Sequence, residues 1–366
     1  ALALKGEAST TELVSGTGLS RSAVSTSLSA LRASGVVQDV DTRQAGMGRP
    51  TLLHALNPGL GVCGGVLLGL DEIRISLCDV THTVLTDESM PITRDYAPQD
   101  AVETVKSALE RHCDSRGLKV NDLLGVGLAV SAPISPEGVV LSRTILPTWG
   151  GVAPGALFQS ALGCPVHAEN ESNCGALAEM MWGAARGENN FVMVKLDLGI
   201  GGATVVNGHL QTGARGAAAE FGHMTLEPRG TLCRCGNRGC FETIAGGSHL
   251  LRQAEIATGH PVSLADFVDQ ACEGHPGFRR LLDDAADIAG WGIGLIGTIL
   301  NPPLFVLSGG LARAGEPFVS RLRESFLRHT VRLDEEPNAT RFAVGRYLAN
   351  HTVLGGVSLV LRQERR

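Results

Sequence analysis

Little in this sequence of 366 residues advertises nucleic acid, a membrane or export. There is no basic excess: 31 Lys and Arg stand against 37 Asp and Glu, a formal net charge of −6. Any contact with DNA must therefore come from a local patch and not from an overall field. The longest apolar runs, Val62 to Leu70 and Ile288 to Leu300, fall short of the roughly 18 residues that a membrane span needs. No basic, apolar, small-residue leader opens the chain, so a cytoplasmic location is expected, and without an initiating Met the numbered start is expected to be a trimmed terminus. Cysteines number nine, an odd count, and three of them crowd at Cys233, Cys235 and Cys240. That distribution fits reduced thiols and one metal site better than a disulfide framework. Hydrophobic residues at 43%, charged residues at 19% and 47 glycines describe a globular, Gly-rich α/β protein rather than a disordered one.

Residues 1–57 read as one module. Ser9 to Ser15 and Ser20 to Ser34 are predicted helices separated by Gly16-Thr17-Gly18, a helix-turn-helix arrangement. Ser20 is the N-cap of the second helix, with Leu19 expected to staple onto Val24, and Val24, Leu28 and Leu31 form one apolar stripe. The opposite face carries Arg21, Ser22, Ser25, Thr26, Ser29 and Arg32. Gly35 closes the helix, and strands from Val36-Val37 and Thr51-Leu52-Leu53-His54 make a wing whose tip holds Arg43 and Arg49. A module of this kind places Ser20, Arg21, Ser22, Ser25 and Thr26 at a DNA groove and Arg43 and Arg49 on phosphates or in a minor groove. A bare helical cap or dimerisation module would show the same apolar periodicity without the Ser/Thr/Arg face and basic wing. The module has five basic residues (Lys5, Arg21, Arg32, Arg43, Arg49) against four acidic ones (Glu7, Glu12, Asp39, Asp41). So weak a charge predicts paired modules on one operator, hence a homodimer or homotetramer.

Residues 58–366 alternate strands and helices in two rounds. Predicted strands are Val62 to Leu70, Arg74 to Asp79, Leu124 to Val130, Phe191 to Leu196, Gly202 to Val206 and Leu304 to Leu307. Predicted helices are Gln99 to Arg116, Ser172 to Gly187, Phe278 to Leu300 and Glu316 to Leu327, which implies two α/β lobes facing a cleft near 168–173. The most specific chemical signal lies between them. His223 is followed at 233, 235 and 240 by cysteines, with glycines at 230, 236 and 239. Three thiolates and an imidazole complete a tetrahedral zinc site with no open position, so one structural zinc per chain is expected; the alternative is one His and three buried thiols meeting by chance.

Ala218-Ala219-Glu220-Phe221-Gly222-His223 and Cys233-Arg234-Cys235-Gly236-Asn237-Arg238-Gly239-Cys240-Phe241-Glu242 resemble the signature of the ROK family of repressors, open reading frames and kinases. Asn170-Glu171-Ser172-Asn173 resembles that family's catalytic stretch, Gly199-Ile200-Gly201-Gly202 its second phosphate loop and Ser308-Gly309-Gly310 its adenosine-side turn. The resemblance implies a two-lobed, actin-like sugar-kinase body behind an N-terminal winged helix-turn-helix. It also implies a sugar or sugar phosphate effector held by Asn170, Glu171, Glu220, His223 and Glu242, with His223 serving metal and sugar through its two nitrogens. Outside such a signature Glu220 and Glu242 would read as solvated or helix-end carboxylates.

The departures argue against a kinase. Leu67-Leu68-Gly69-Leu70-Asp71-Glu72 lacks the Gly-Gly-Thr of the first phosphate loop, Asp197-Leu198 stands where kinases place Gly-Thr, and Glu171 stands where they hold an Asp. One added methylene shifts the carboxylate by about 1.5 Å, and phosphoryl transfer depends on positioning and phosphate neutralisation. No catalytic residue is therefore assigned. The expected function is a sugar-responsive DNA-binding regulator, a repressor of carbohydrate-related genes with operator DNA as its partner. A ROK-type ATP-dependent sugar kinase is the alternative. An architectural DNA binder without a ligand would leave Asn170, Glu220 and Glu242 unexplained.

Overall fold

The structure is a computed structural model that describes residues 2, 6–43, 51–331, 339–347 and 351–362. The chain divides into two compact units. One comprises Ala1–Ser131, Val152–Glu169 and Val353–Arg366, the other Ala132–Gly151 and Asn170–Thr352.

The first unit begins with β1 (Glu7–Ser9), α1 (Thr10–Thr17), α2 (Arg21–Ala33), β2 (Val37–Arg43) and β3 (Thr51–Leu56). A capping box starts α1: Glu12 N–H donates to Ser9 Oγ at 3.2 Å and Ser9 N–H to Glu12 Oε2 at 2.7 Å, satisfying two donors that the helix itself leaves open. Ser20 caps α2 by accepting from Ala23 N–H at 3.3 Å. The expected connection shrinks, because α1 runs through Thr17 before Gly18 turns left-handed. The small core is Leu2, Ala8, Leu13, Val24, Leu28 and Val37. Two expectations are corrected here. Leu31 is 40% exposed, since it lies in the last turn where its carbonyl accepts from Val36 N–H and the chain leaves at Gly35; Leu19, 50% exposed in the connection, has no place in that core. The short β1 escaped the sequence reading and pairs antiparallel with β3, making the sheet order β1-β3-β2.

The same unit continues with β4 (Val62–Leu68), β5 (Glu72–Asp79), β6 (Val84–Pro91), α3 (Pro98–Asp114), β7 (Gly125–Val130), α4 (Pro154–Leu162) and β8 (Val166–Asn170), in sheet order β6-β5-β4-β7-β8. Edge strand β6 was not expected, because its sequence Val-Leu-Thr-Asp-Glu-Ser-Met-Pro offers no apolar alternation. The helix His351–Leu361 lies against the backbones of β4 and β7. A Cβ on Gly127 would stand 1.8 Å from the Gly356 carbonyl oxygen, and one on Gly65 would stand 2.4 Å from that of Val353.

The second unit holds α5 (Glu171–Trp182), β9 (Phe191–Leu196), β10 (Ile200–Val206), β11 (His209–Leu210), α6 (Phe241–Ala245), α7 (Gly247–Thr258), α8 (Leu264–Cys272), α9 (Pro276–Leu300), β12 (Leu304–Ser308), α10 (Glu316–His329) and β13 (Arg341–Val344). Its sheet order is β11-β10-β9-β12-β13, antiparallel from β11 to β9 and parallel from β9 to β13. Val192, Val194 and Leu196 alternate into a core with Phe241, Phe267, Phe278, Ile293, Phe305 and Phe326. Period-two alternation puts Phe191, Met193 and Lys195 on the other face.

Because the atom opposing Gly127 is backbone and cannot rotate away, Gly127→Val should cost about 3 kcal/mol, the upper end of the range for overpacked cores. A urea titration followed by circular dichroism should show an earlier transition for the first unit; an unchanged midpoint would contradict this packing.

Candidate functional site

In the second unit, a loop that is nearly free of regular structure brings His223, Cys233, Cys235 and Cys240 together, their ligand atoms all within 4.8 Å of one another. The Cys235 and Cys240 sulfurs are 3.6 Å apart, and His223 Nδ1 lies 3.5 Å from Cys233 Sγ. Metal–sulfur bonds of about 2.3 Å at tetrahedral angles put sulfurs close to that separation. Cys233 N–H donates to the Asn237 carbonyl at 2.7 Å, and Leu232 bridges Arg238. Gly239 has φ 57°, and a Cβ on it would stand 1.6 Å from the Glu227 carbonyl oxygen, so the loop cannot close with another residue there. Burial pushes the Cys233 and Cys240 thiols up. At exposed Cys235 burial also raises, but the Asn237 backbone N–H and the hydrogen bonds from Cys233 and Cys240 outweigh it and hold the thiol below its ordinary value. A donor set of three thiols and one imidazole at these distances fits a soft or borderline metal ion.

Carboxylates and an amide border the cluster. Glu220 follows Ala219, a non-glycine residue held at φ 62°, a sparsely populated conformation that persists only where the surroundings impose it. His223 Nε2 faces Glu220 Oε2 at 3.9 Å, while its Nδ1 faces Glu242 Oε1 at 3.5 Å. Glu242 is buried, accepts from Cys233 Sγ at 3.2 Å and is bridged by Arg234 at 3.0 Å. Burial raises Glu220 to about 7; Arg234 opposes the shift, and the charges of Glu242 and Glu171 add to it. His223 is lowered, by burial first and by Arg234, against the pull of Glu242. Asn170 caps α5, accepting from Ser172 and Asn173 N–H at 2.8 and 3.3 Å and donating to the Ala132 carbonyl at 3.2 Å. Glu171 pairs with Lys195 at 2.9 Å. Lys195 and Arg234 escaped the sequence reading as charge partners, although a lysine inside the apolar strand Phe191–Leu196 was a visible signal.

Asp197, expected only to add negative charge, has a specific task. Its carboxylate accepts from Leu198 N–H at 2.8 Å and Gly310 N–H at 2.9 Å, and its carbonyl accepts from Gly247 N–H at 2.7 Å. The turn Leu198-Gly199 and the turn Gly309-Gly310 are thus tied by the protein's own anion.

In the first unit, Ser20, Arg21, Ser22, Ser25 and Thr26 are all exposed on or beside α2. Ser20 is committed to its cap, with Ser22 Oγ 3.0 Å away. Arg21, Ser25 and Ser29 line an open hollow with Thr10, Thr11 and Thr51. Arg32 does not stand free on that face: it donates to Asp39 at 2.7 Å, and the same carboxylate oxygen meets Nδ1 of buried His54 at 2.8 Å. Burial pushes Asp39 up, yet His54 and Arg32 together hold it below its ordinary value. The side chain of Arg43 and all of Arg49 lie outside the described residues.

Comparison with known proteins finds two family matches along the chain. Residues 63–363 match the ROK family, and residues 1–39 match the bacterial regulatory protein arsR family. A xylose repressor of Bacillus spizizenii is 27% identical over 84% of this chain and 79% of its own length. A glucokinase of Thermotoga maritima is 30% identical over 70% of this chain and 86% of its own. Among solved structures, a ROK family transcriptional regulator homologous to the E. coli MLC protein matches 96% of this chain and 91% of its own with TM-score 0.74 at 21% identity. A ROK glucokinase of Streptomyces griseus, solved with glucose and AMPPNP, matches 83% and 100% with TM-score 0.74 at 24% identity.

Glu220 gives a pH test with a definite sign. A carboxyl raised in the folded chain from 4.5 to about 7 keeps its proton where the unfolded chain has lost it, so stability falls as pH rises through that window and levels off above it. The melting temperature of Glu220→Gln should pull ahead of the wild type between about pH 4.5 and 7 and hold a constant lead beyond. A lead that is the same at pH 4 and pH 8 would contradict the shift.

Proposed function

The chain belongs to the ROK family, and from that premise we propose that it is a DNA-binding transcriptional repressor whose hold on its operator responds to a sugar. The observation that carries this reading is the capped helix pair with a strand wing standing ahead of the ROK body. A ROK transcriptional regulator structure that matches 96% of this chain spans both parts and supports it, as does a repressor relative that matches 84% of the chain. Residues 1–57 are the DNA module and 58–366 the effector-binding body. Ser20, Arg21, Ser22, Ser25 and Thr26 meet base edges and nearby phosphates, and Arg43 and Arg49 meet phosphates or a minor groove. A module with five basic and four acidic residues gains little from counterion release, so two copies act together on one operator. The protein works in the cytoplasm, as a homodimer or homotetramer.

Asn170, Glu171, Glu220, His223 and Glu242 hold the sugar. Their acceptors and donors suit hydroxyls, which do both. His223, Cys233, Cys235 and Cys240 hold one structural zinc, which fixes the loop between Glu220 and Glu242 and leaves no coordination position for chemistry. The second reading, a sugar kinase, is favoured by glucokinases that match the body. Against it stand Asp197, whose carboxylate takes backbone N–H groups of the glycine turns, and the Glu171–Lys195 pair, which engages the carboxylate a kinase would need as base.

Cys235→Ser should lose zinc and the sugar response together, because metal binding and loop order are one equilibrium. Elemental analysis of wild type and variant reads the first, ligand-dependent melting the second; a zinc-free wild type ends the metal assignment.

DNA and sugar functions should separate. Arg21→Ala should weaken operator binding by about 1–3 kcal/mol with sugar affinity unchanged. Glu242→Gln should keep operator affinity in the absence of sugar and lose the response to it. Fluorescence anisotropy with operator DNA, with and without sugar, reads both. If Glu242→Gln responds in full, the sugar site is misassigned, and sugar-dependent ATP turnover at about 1 to 100 per second would favour the kinase.

A further inference from the structure

Lys195 interrupts an apolar row. Phe191 and Met193 precede it on the β9 face turned away from the core formed with α6, α8 and α9, and both are buried; Lys195 keeps only 18% of its side-chain surface. Its cross-strand partner is Gly201, where a Cβ would stand 2.5 Å from Ser172 Oγ. Directly opposed residues point to one face, so Lys195 rises toward the first turn of α5. There its Nζ meets Glu171 Oε1 at 2.9 Å, with Glu171 itself 20% exposed.

Stability gives a poor reason for an ammonium at this place. A helix N-terminus carries partial positive charge and disfavours a cation beside it. An ion pair so far withdrawn from water gains little over a packed apolar pair. A ligand site supplies the reason, and the neighbours indicate the ligand's charge. Lys195 and Arg234 each already bridge a carboxylate, Glu171 and Glu242, and Glu220 beside them supplies no positive charge in either protonation state. A dianionic phosphate would find no uncompensated cation among these groups, whereas an uncharged polyol needs the donors and acceptors that are present.

We propose that Lys195 is a binding residue of the sugar site, its ammonium and the Glu171 carboxylate acting as a donor and acceptor pair for adjacent hydroxyls of an uncharged, unphosphorylated sugar. This rests on the sugar site proposed above and adds to it one residue and one constraint, the absence of a phosphate on the effector.

The test is isothermal titration of the full chain with D-xylose, D-glucose and glucose 6-phosphate, for wild type, Lys195→Met and Lys195→Arg. The wild type should bind a free sugar, and glucose 6-phosphate at least about tenfold more weakly than glucose. Lys195→Met should lose about tenfold or more in free-sugar affinity, the size expected when a charge-assisted hydrogen bond is removed; Lys195→Arg should retain part of it. Melting curves taken alongside check folding, and Lys195→Gln replaces the methionine variant should that one not fold. Free-sugar affinity unchanged in the methionine or glutamine variant overturns the assignment, and so does glucose 6-phosphate binding more tightly than glucose. A wild type that binds neither sugar strikes at the sugar site as a whole and takes this inference with it, whereas an indifferent lysine in a sugar-binding protein strikes only here.

Discussion

The convergence of three sulfurs and one imidazole is the constraint on which the candidate sugar site depends. The segment from Met224 to Cys240 contains no helix or paired strand among its described residues beyond isolated bridges. Leu232 is 61% exposed within it, so apolar burial does little to offset the entropy of ordering the loop. What closes it is the cluster of His223, Cys233, Cys235 and Cys240. That closure sets Glu220 three residues before one member and Glu242 two residues after another. Two carboxylates far apart along the loop thereby share one environment, close enough for each to feel the other's charge.

The same unit explains how hydroxyl recognition can be kept while phosphate handling changes. In the proposed site, sugar hydroxyls would be read by side chains from the signature loop and the start of α5, held in place by the cluster, by the Asn170 cap and by Lys195. Phosphates are held by backbone N–H groups at glycine turns. Here Asp197 accepts from Leu198 N–H beside the glycine turn that resembles the second phosphate loop, and from Gly310 N–H in the turn that resembles the adenosine side, and a phosphate arriving at the first of these would have to displace a carboxylate that is already covalently present at high effective concentration. On that reading the two functions use different atoms, so one can be lost without disturbing the other.

Much of this was legible in the sequence, and the reasons differ by element. The helix cap at Ser20, the alternation of Phe191 to Leu196 and the long apolar stretch ending at Leu300 carry local signals that tertiary structure reinforced. The Cys-x-Cys spacing fixed the candidate cluster because chain length alone brings such ligands together. β1 and β6 were not legible: one is too short to show a period, and the other is a polar edge strand. The pairings Glu171–Lys195, Arg234–Glu242 and Arg32–Asp39–His54 were also invisible, since each joins residues whose proximity only the fold creates. Leu31 misled because a helical stripe predicts which face turns inward, not how far along the helix the core reaches.

In the DNA module, the tie from Arg32 on α2 through Asp39 on β2 to His54 on β3 holds helix and wing as one body. A rigid module of low charge has a useful consequence for a sugar-controlled repressor. If two copies act on one operator as proposed, with little affinity drawn from phosphates, binding would rest on a few base contacts in each copy, each worth about 1–3 kcal/mol. Coupling between ligand sites is typically also about 1–3 kcal/mol. Sugar therefore need not unfold or occlude the module. It needs only to prefer, by that margin, a state in which two rigid modules no longer match both half-sites, and a strongly basic module would have put release out of reach of so modest a difference.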